Sequence, residues 1–195
     1  MTDSRILLIV GGGIAAIKVP ELIRLLRQEG MSVTPVLTAG GAAFVTPLTL
    51  SALAESPCHT ELFDLTREAE MGHIQLSRAA DLIVVVPATA NLMARMAAGL
   101  ADDLATTLLL ATDKPVLIAP AMNLRMWHHA AMQRNRSQLE DDGILFVGPE
   151  EGVMACGEYG EGRMAEPGQI LTAIQDALGQ GGPLRLPPEA VVRLP

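Results

Sequence analysis

Residues 6–30 read ILLIVGGGIAAIKVPELIRLLRQEG, and this stretch decides the fold. Ile6-Leu7-Leu8-Ile9-Val10 is an unbroken apolar run rich in β-branched residues, the pattern of a strand covered on both faces. Three glycines follow. Ala15, Val19, Leu22 and Leu26 then fall on one stripe of a helix that ends near Gly30. Pro20 lies in or near the first turn of that helix, where a missing N–H is tolerated best.

The alternation continues along the chain. Residues 32–38 read as a second strand, and Pro35 within it argues for a sheet edge or a bulge. Residues 40–54 are helical with a break at Pro47, 72–80 form a short helix, and 82–86 form a third buried strand. Helices over 91–98 and 103–111 flank Gly99, and a fourth strand covers 115–119. Residues 124–142 are helical in one piece or two, 144–147 make a fifth strand, and 168–178 a last helix, after a glycine-dense stretch at 148–167. Strands alternating with helices imply one doubly wound α/β domain over residues 1–178 with a mostly parallel sheet, Rossmann- or flavodoxin-like. Ligands then lie at the carboxyl ends of the strands. Residues 179–195 (GQGGPLRLPPEAVVRLP) read as a Gly/Pro-rich tail or linker.

Composition limits the function classes. Hydrophobic residues make up 49% of the 195 and charged residues 18%, which suits a packed core and leaves apolar surface for subunit contacts. A net charge of −8 argues against nucleic-acid binding, which needs clustered Lys and Arg. Two cysteines, Cys58 and Cys156, make no disulfide framework and fit a reducing cytoplasm. The uncharged stretch 6–17 lacks a basic flank and is interrupted by glycines, so it is not read as a signal peptide. No stretch is long enough to span a membrane. The Cys and His residues are not at zinc-ligand spacings, so no metal is expected. No G-x-S-x-G is present for a serine hydrolase.

Gly11-x-Gly13-x-x-Ala16 fits a dinucleotide-binding pattern by letter. Glycines let backbone approach a phosphate, and the following helix turns its N-terminus toward it. The acidic residue that would hold a ribose is absent: the second strand ends Val36-Leu37-Thr38-Ala39-Gly40. A hydroxyl at that point suits a phosphate, which favours a mononucleotide over NAD. A tight strand-to-helix turn with no ligand stays open as the alternative for these residues taken alone.

Several segments, in order, resemble the flavin-dependent cysteine decarboxylases, and within them the phosphopantothenoylcysteine decarboxylases. They are Gly12-Gly13-Ile14-Ala15-Ala16-Ile17-Lys18, Gly72-His73-Ile74-Gln75-Leu76, Ala80-Asp81, and Pro87-Ala88-Thr89-Ala90-Asn91. They continue with Gly99-Leu100-Ala101-Asp102-Asp103-Leu104, Ala119-Pro120-Ala121-Met122-Asn123-Leu124-Arg125-Met126-Trp127, and Ala155-Cys156-Gly157-Glu158-Tyr159-Gly160-Glu161-Gly162-Arg163-Met164. Ile17 departs from the tyrosine usual in the family, a local packing change.

The resemblance implies FMN held by Gly12, Gly13, Ile14, Ala15, Thr38, Phe44, Pro87, Ala88, Thr89, Asn91, Ala101 and Asp102. It implies catalytic roles for His73 and Cys156, with Cys156 as the proton donor in the final reduction. It also implies substrate binding by Ala121, Met122 and Asn123, with Asn123 on the substrate carboxylate. From the residues alone, Asn123 reads equally as a helix N-cap, and the other histidines, His59, His128 and His129, carry no such setting. Pro57-Cys58-His59 matches nothing in the family, which makes Cys58 an inert control for Cys156.

The implied reaction is FMN-dependent decarboxylation of 4′-phosphopantothenoylcysteine to 4′-phosphopantetheine, in coenzyme A biosynthesis. Oxidation of the cysteine CH₂–SH to a thioaldehyde lets CO₂ leave, and the resulting enethiolate is then reduced. The family assembles as trimers, or as dodecamers built from trimers, and often carries a phosphopantothenate–cysteine ligase, fused or separate. A peptidyl-cysteine decarboxylase and a non-enzymatic FMN-binding regulatory subunit are the alternatives. Cys156 favours the enzyme, because regulatory relatives can lack it. The sequence leaves open whether the chain stands alone or is part of a bifunctional protein.

Overall fold

The computed structural model describes residues 4–61, 72–153, 155 and 157–179. Its centre is a five-stranded sheet of β1 (Arg5–Val10), β2 (Ser32–Leu37), β3 (Leu82–Ala88), β4 (Val116–Pro120) and β5 (Leu145–Phe146), in the order β2-β1-β3-β4-β5. Every neighbouring pair is parallel, as expected from strands separated by helices. The chain winds one way from β1 to β2 and the other way from β1 to β3, so the topological switch point lies between β1 and β3.

Alternate residues of β1 divide the core. Ile6, Leu8 and Val10 face α1 (Val19–Gln28), α2 (Pro47–Ala54) and α8 (Pro167–Gly179), packing with Leu22, Leu50 and Ile174. Leu7 and Ile9 face α4 (Ala90–Ala97), α5 (Leu104–Ala111) and α7 (Ala130–Asp141), packing with Met93, Leu108 and Leu139. All five apolar residues of β1 after Arg5 are 1% exposed or less, which is why the run shows no polar alternation. Burying one such side chain contributes roughly 1.5–3 kcal/mol.

The structure refines several local readings and adds one element. The first helix opens with a 3₁₀ turn over Ile14–Lys18 before α1, which takes Pro20 in its first turn. The helical region 124–142 divides into α6 (Leu124–Trp127) and α7, with His129 Nδ1 accepting the Ala131 N–H at 3.1 Å as the cap of α7. The glycine-dense stretch contains an antiparallel hairpin that its composition hides, β6 (Glu150–Val153) with β7 (Tyr159–Arg163). The last helix extends to Gly179, and the rest of the predicted tail, 180–195, lies outside the described residues.

Strand β2 is an edge, as Pro35 suggested. Beside it, the His59 N–H donates to the Pro35 carbonyl at 2.9 Å and the Leu37 N–H donates to the His59 carbonyl at 2.8 Å. At the opposite edge, β5 is only two residues long.

Candidate functional site

The carboxyl ends of β1, β2, β3 and β4 converge on the switch point. The turn Gly11–Gly13 leaves β1 there and is pressed between two neighbours. A Cβ on Gly11 would collide with the Pro87 carbonyl oxygen, and one on Gly12 would lie 2.7 Å from the Gly40 Cα. Only glycine permits those approaches. Gly13 is different: its Cβ would meet nothing nearer than Thr89 Cγ2 at 3.5 Å. Among the described residues the N–H groups of Gly12, Gly13 and Ile14 have no hydrogen-bond partner, and they precede a helical turn. That is an anion-receptive arrangement of backbone donors.

Thr38 ends β2 beside this turn. Its hydroxyl donates to the Val10 carbonyl at 2.8 Å and accepts from the Gly41 N–H at 3.0 Å, tying the ends of β1 and β2 together. Phe44 follows the short 3₁₀ turn Gly41–Ala43 and is 41% exposed. From β3, Pro87 and Ala88 lead into Thr89, which caps α4 by accepting the Leu92 N–H at 3.4 Å; Asn91 is exposed on the first turn of α4. The sequence-predicted residues Gly12, Gly13, Thr38, Pro87 and Thr89 thus lie on adjoining strand ends.

Ala101 and Asp102 lie on the exposed loop between α4 and α5. The Arg95 guanidinium forks across this loop, pairing with Asp102 and, at 2.8 Å, with Asp103. The hydrogen bond from Arg95 holds the Asp102 carboxyl below the usual range. Burial pushes the Asp103 carboxyl upward, but the Thr106 N–H and Arg95 together bring it below the usual range. Asp103 and Thr106 also form a capping box for α5. Asp102 thus pairs with Arg95 through one oxygen, and among the described residues no hydrogen bond joins it or Ala101 to the glycine turn.

The turn after β4 is braced on both sides. The Ala121 N–H donates to the Ala88 carbonyl of β3 at 3.0 Å, and the Met122 N–H to the Gly162 carbonyl of β7 at 3.0 Å. Asn123 then caps α6, its Oδ1 accepting the Arg125 N–H at 2.8 Å. That bond identifies the oxygen and leaves Nδ2 to donate to the Glu158 carboxylate at 2.6 Å. Capping and carboxylate recognition are thus carried by opposite ends of one amide. Glu158 was not among the predicted site residues; nothing local in the sequence marks a pairing across 35 positions.

Of the predicted catalytic pair, His73 lies on the first turn of α3 (Gly72–Ala79), with its side chain outside the described residues, as is all of Cys156. Cys58 is partly buried against the core, and burial pushes its thiol up to about 11. Such a thiol holds almost no thiolate at neutral pH, which makes it a poor nucleophile. Among the described residues no cluster could hold a metal ion, and no helix is long and apolar enough to cross a membrane.

A parallel sheet of this order, with anion-receptive glycines at its switch point, defines a flavodoxin-like α/β protein. The chain belongs to the flavoprotein family, whose profile matches residues 1–179. It is 47% identical over 171 residues to a coenzyme A biosynthesis bifunctional protein, CoaBC, of Haemophilus influenzae, covering 88% of this chain and 43% of that protein. It is 46% identical over 184 residues to CoaBC of Escherichia coli K12, covering 94% of this chain and 45% of that protein. The chain thus spans under half the length of these relatives. Among solved structures it is similar to a cysteine-to-serine mutant of a PPC decarboxylase complexed with pantothenoylaminoethenethiol. The TM-score is 0.81 with 34% identity, over 89% of this chain and 97% of that one. The FMN-binding protein AtHal3 superposes with a TM-score of 0.79 at 33% identity, over 92% of this chain and 99% of that one.

Proposed function

We propose that this chain binds FMN and decarboxylates 4′-phosphopantothenoylcysteine to 4′-phosphopantetheine, a step of coenzyme A biosynthesis. The observation that carries the reading is the Asn123 amide. It is locked by the Arg125 N–H at 2.8 Å so that its donor end meets a carboxylate, in a turn braced to β3 and β7 beside the switch point. The bifunctional relatives act in coenzyme A biosynthesis by name, and the similar PPC decarboxylase mutant is complexed with pantothenoylaminoethenethiol.

The residues present fit FMN. Gly12, Gly13 and Ile14 offer backbone donors for its phosphate, Thr38 fixes the neighbouring strand end, Pro87 and Thr89 lie beside the glycines, and the exposed Phe44 and Asn91 on the segments that follow β2 and β3 would add apolar and polar surface. Bound there, the flavin would supply a two-electron acceptor that converts the substrate CH₂–SH to C=S, β to the carboxylate, and later returns the electrons. Asn123 Nδ2 would hold the carboxylate, a proximity effect. The N–H groups of Ala121 and Met122 are spent on the turn, so these two residues would shape the pocket by other atoms. His73 would serve acid–base or positioning work, and Cys156 would donate the proton that completes the reduction.

The reading includes a cytoplasmic homo-oligomer, a trimer or a dodecamer of trimers. Ile14 and Ile17, just after the glycine turn, and Leu48 on α2, 52%, 57% and 78% exposed, supply apolar surface for it. Since the relatives are bifunctional and more than twice as long, we also assign a phosphopantothenate–cysteine ligase as partner, fused or separate.

The test is to incubate the FMN-loaded protein with 4′-phosphopantothenoylcysteine and follow products by mass spectrometry. Loss of CO₂ without net oxidation supports the reading. An FMN-loaded protein that leaves the compound intact overturns it and turns attention to peptides ending in cysteine.

A further inference from the structure

We propose that Glu158 is a built-in stand-in for the substrate carboxylate, occupying the Asn123 amide until substrate displaces it. The inference deepens the proposed function and rests on it. Three observations carry it. First, the contact has the chemistry of ligand binding: Asn123 Nδ2 donates to an ionisable carboxylate oxygen at 2.6 Å, while Oδ1 accepts the Arg125 N–H at 2.8 Å. A charge-assisted bond of this length is about twice as strong as a neutral one; Nδ2 carries a second N–H, but a second carboxylate on the same nitrogen would sit against the like charge of Glu158, which favours exchange over shared occupancy.

Second, the backbone near Glu158 is held independently of its side chain. Strand β7, which begins at the next residue, is fixed to the β4 turn by the Met122 N–H to Gly162 carbonyl bond at 3.0 Å. It also packs closely on α6 at Gly160, where an added Cβ would lie 2.7 Å from Leu124 Cδ1. The hairpin therefore has docking contacts that do not involve the Glu158 side chain, and its backbone can stay in place when that carboxylate exchanges. Third, Glu158 is only partly buried, so a displaced carboxylate can reach water without a desolvation penalty.

Emptying the amide costs substrate binding, and weakening Glu158 as an occupant should tighten it. The probes are the serine analogue of the substrate, which keeps the carboxylate but lacks the oxidisable thiol, and 4′-phosphopantetheine, which lacks the carboxylate. Both are titrated calorimetrically into FMN-loaded wild-type, Glu158→Gln and Glu158→Ala protein, with circular dichroism to verify folding. The expected result is a Kd for the serine analogue lowered about three- to ten-fold in Glu158→Gln, and at least as much in Glu158→Ala. The Kd for 4′-phosphopantetheine should stay unchanged. A residue that merely holds the loop would shift both ligands together and weaken them. Wild-type protein that binds the analogue, with variants that bind it equally or less tightly, overturns the stand-in role alone. Wild-type protein that binds neither ligand overturns it together with the proposed substrate.

Discussion

Replacing Asn123 by Asp separates the two jobs of that side chain. Asp is as good an N-cap as Asn, so the bond from the Arg125 N–H at 2.8 Å survives and α6 keeps its start. The other end changes from a donor into a carboxylate oxygen facing Glu158, whose oxygen lies 2.6 Å from the atom replaced. Two charges about 4 Å apart near a protein surface repel by up to ~4 kcal/mol. Glu158 can relieve this by rotating into water, so the net loss of stability should be about 1 kcal/mol or less, a fall in Tm of roughly 2–4 °C. Substrate binding has no such escape. It loses a hydrogen bond to a charged group, about 1.5–3 kcal/mol, and its carboxylate meets another. A total near 3 kcal/mol or more lowers kcat/KM by at least ~100-fold. Calorimetry, flavin absorbance and product formation measure the three quantities on one preparation. An Asn123→Asp protein that keeps kcat/KM within about five-fold of wild type refutes the carboxylate assignment. One that loses both FMN and more than ~10 °C in Tm shows instead that Asn123 is structural.

Gly12→Ala should lower stability by about 1–3 kcal/mol, because its Cβ would lie 2.7 Å from the Gly40 backbone, whereas Gly13→Ala, with its nearest contact at 3.5 Å, should leave Tm within ~2 °C. Equal Tm values for the two variants would contradict the packing described for the turn. In acid, hydrogen bonds from Arg5 hold Asp81, and those from Lys18 hold Glu166, below their ordinary values of 3.8 and 4.5. A lowered carboxylate stabilises the fold above its ordinary value and loses that contribution as pH falls through and below it. Both pairs are over a third exposed on the acidic side, so each contributes at most about 1 kcal/mol. Tm should therefore drop as pH falls from about 5 to about 3, less steeply in Asp81→Asn; a wild-type slope in that variant removes Asp81 from the account.

The sheet was legible because a doubly buried parallel strand leaves a run such as Leu82–Ala88 with every residue buried, which few other structures produce. Pro35 left β2 an edge or a bulged strand, and the structure makes it an edge in unbroken register with β1. The β6–β7 hairpin was not legible. Its strands carry no apolar alternation, and the buried residues on them are Gly152 and Gly162, which give no hydrophobic signal. Gly160 and Gly162 also adopt φ of 152° and 141°, so the residues that look like loop formers are the ones this strand requires. At the site, each strand end was found from its own short motif. The link from Asn123 to Glu158 and the Arg95 clasp on Asp102 and Asp103 depend on which distant or neighbouring side chain the fold presents, and no motif records that.

The treatment of the two sheet edges constrains how copies of this chain can associate. An open strand edge is a template on which another chain can continue the sheet, the geometry that leads to fibres. Here one edge has its free groups at Pro35 and Leu37 taken by His59, and the other offers only the two residues of β5. Association through a continuous intermolecular sheet is thereby discouraged. Side-chain surfaces such as those at Ile14, Ile17 and Leu48 carry exposed apolar residues instead, and a contact built on them would close or propagate according to its symmetry rather than by extending a sheet.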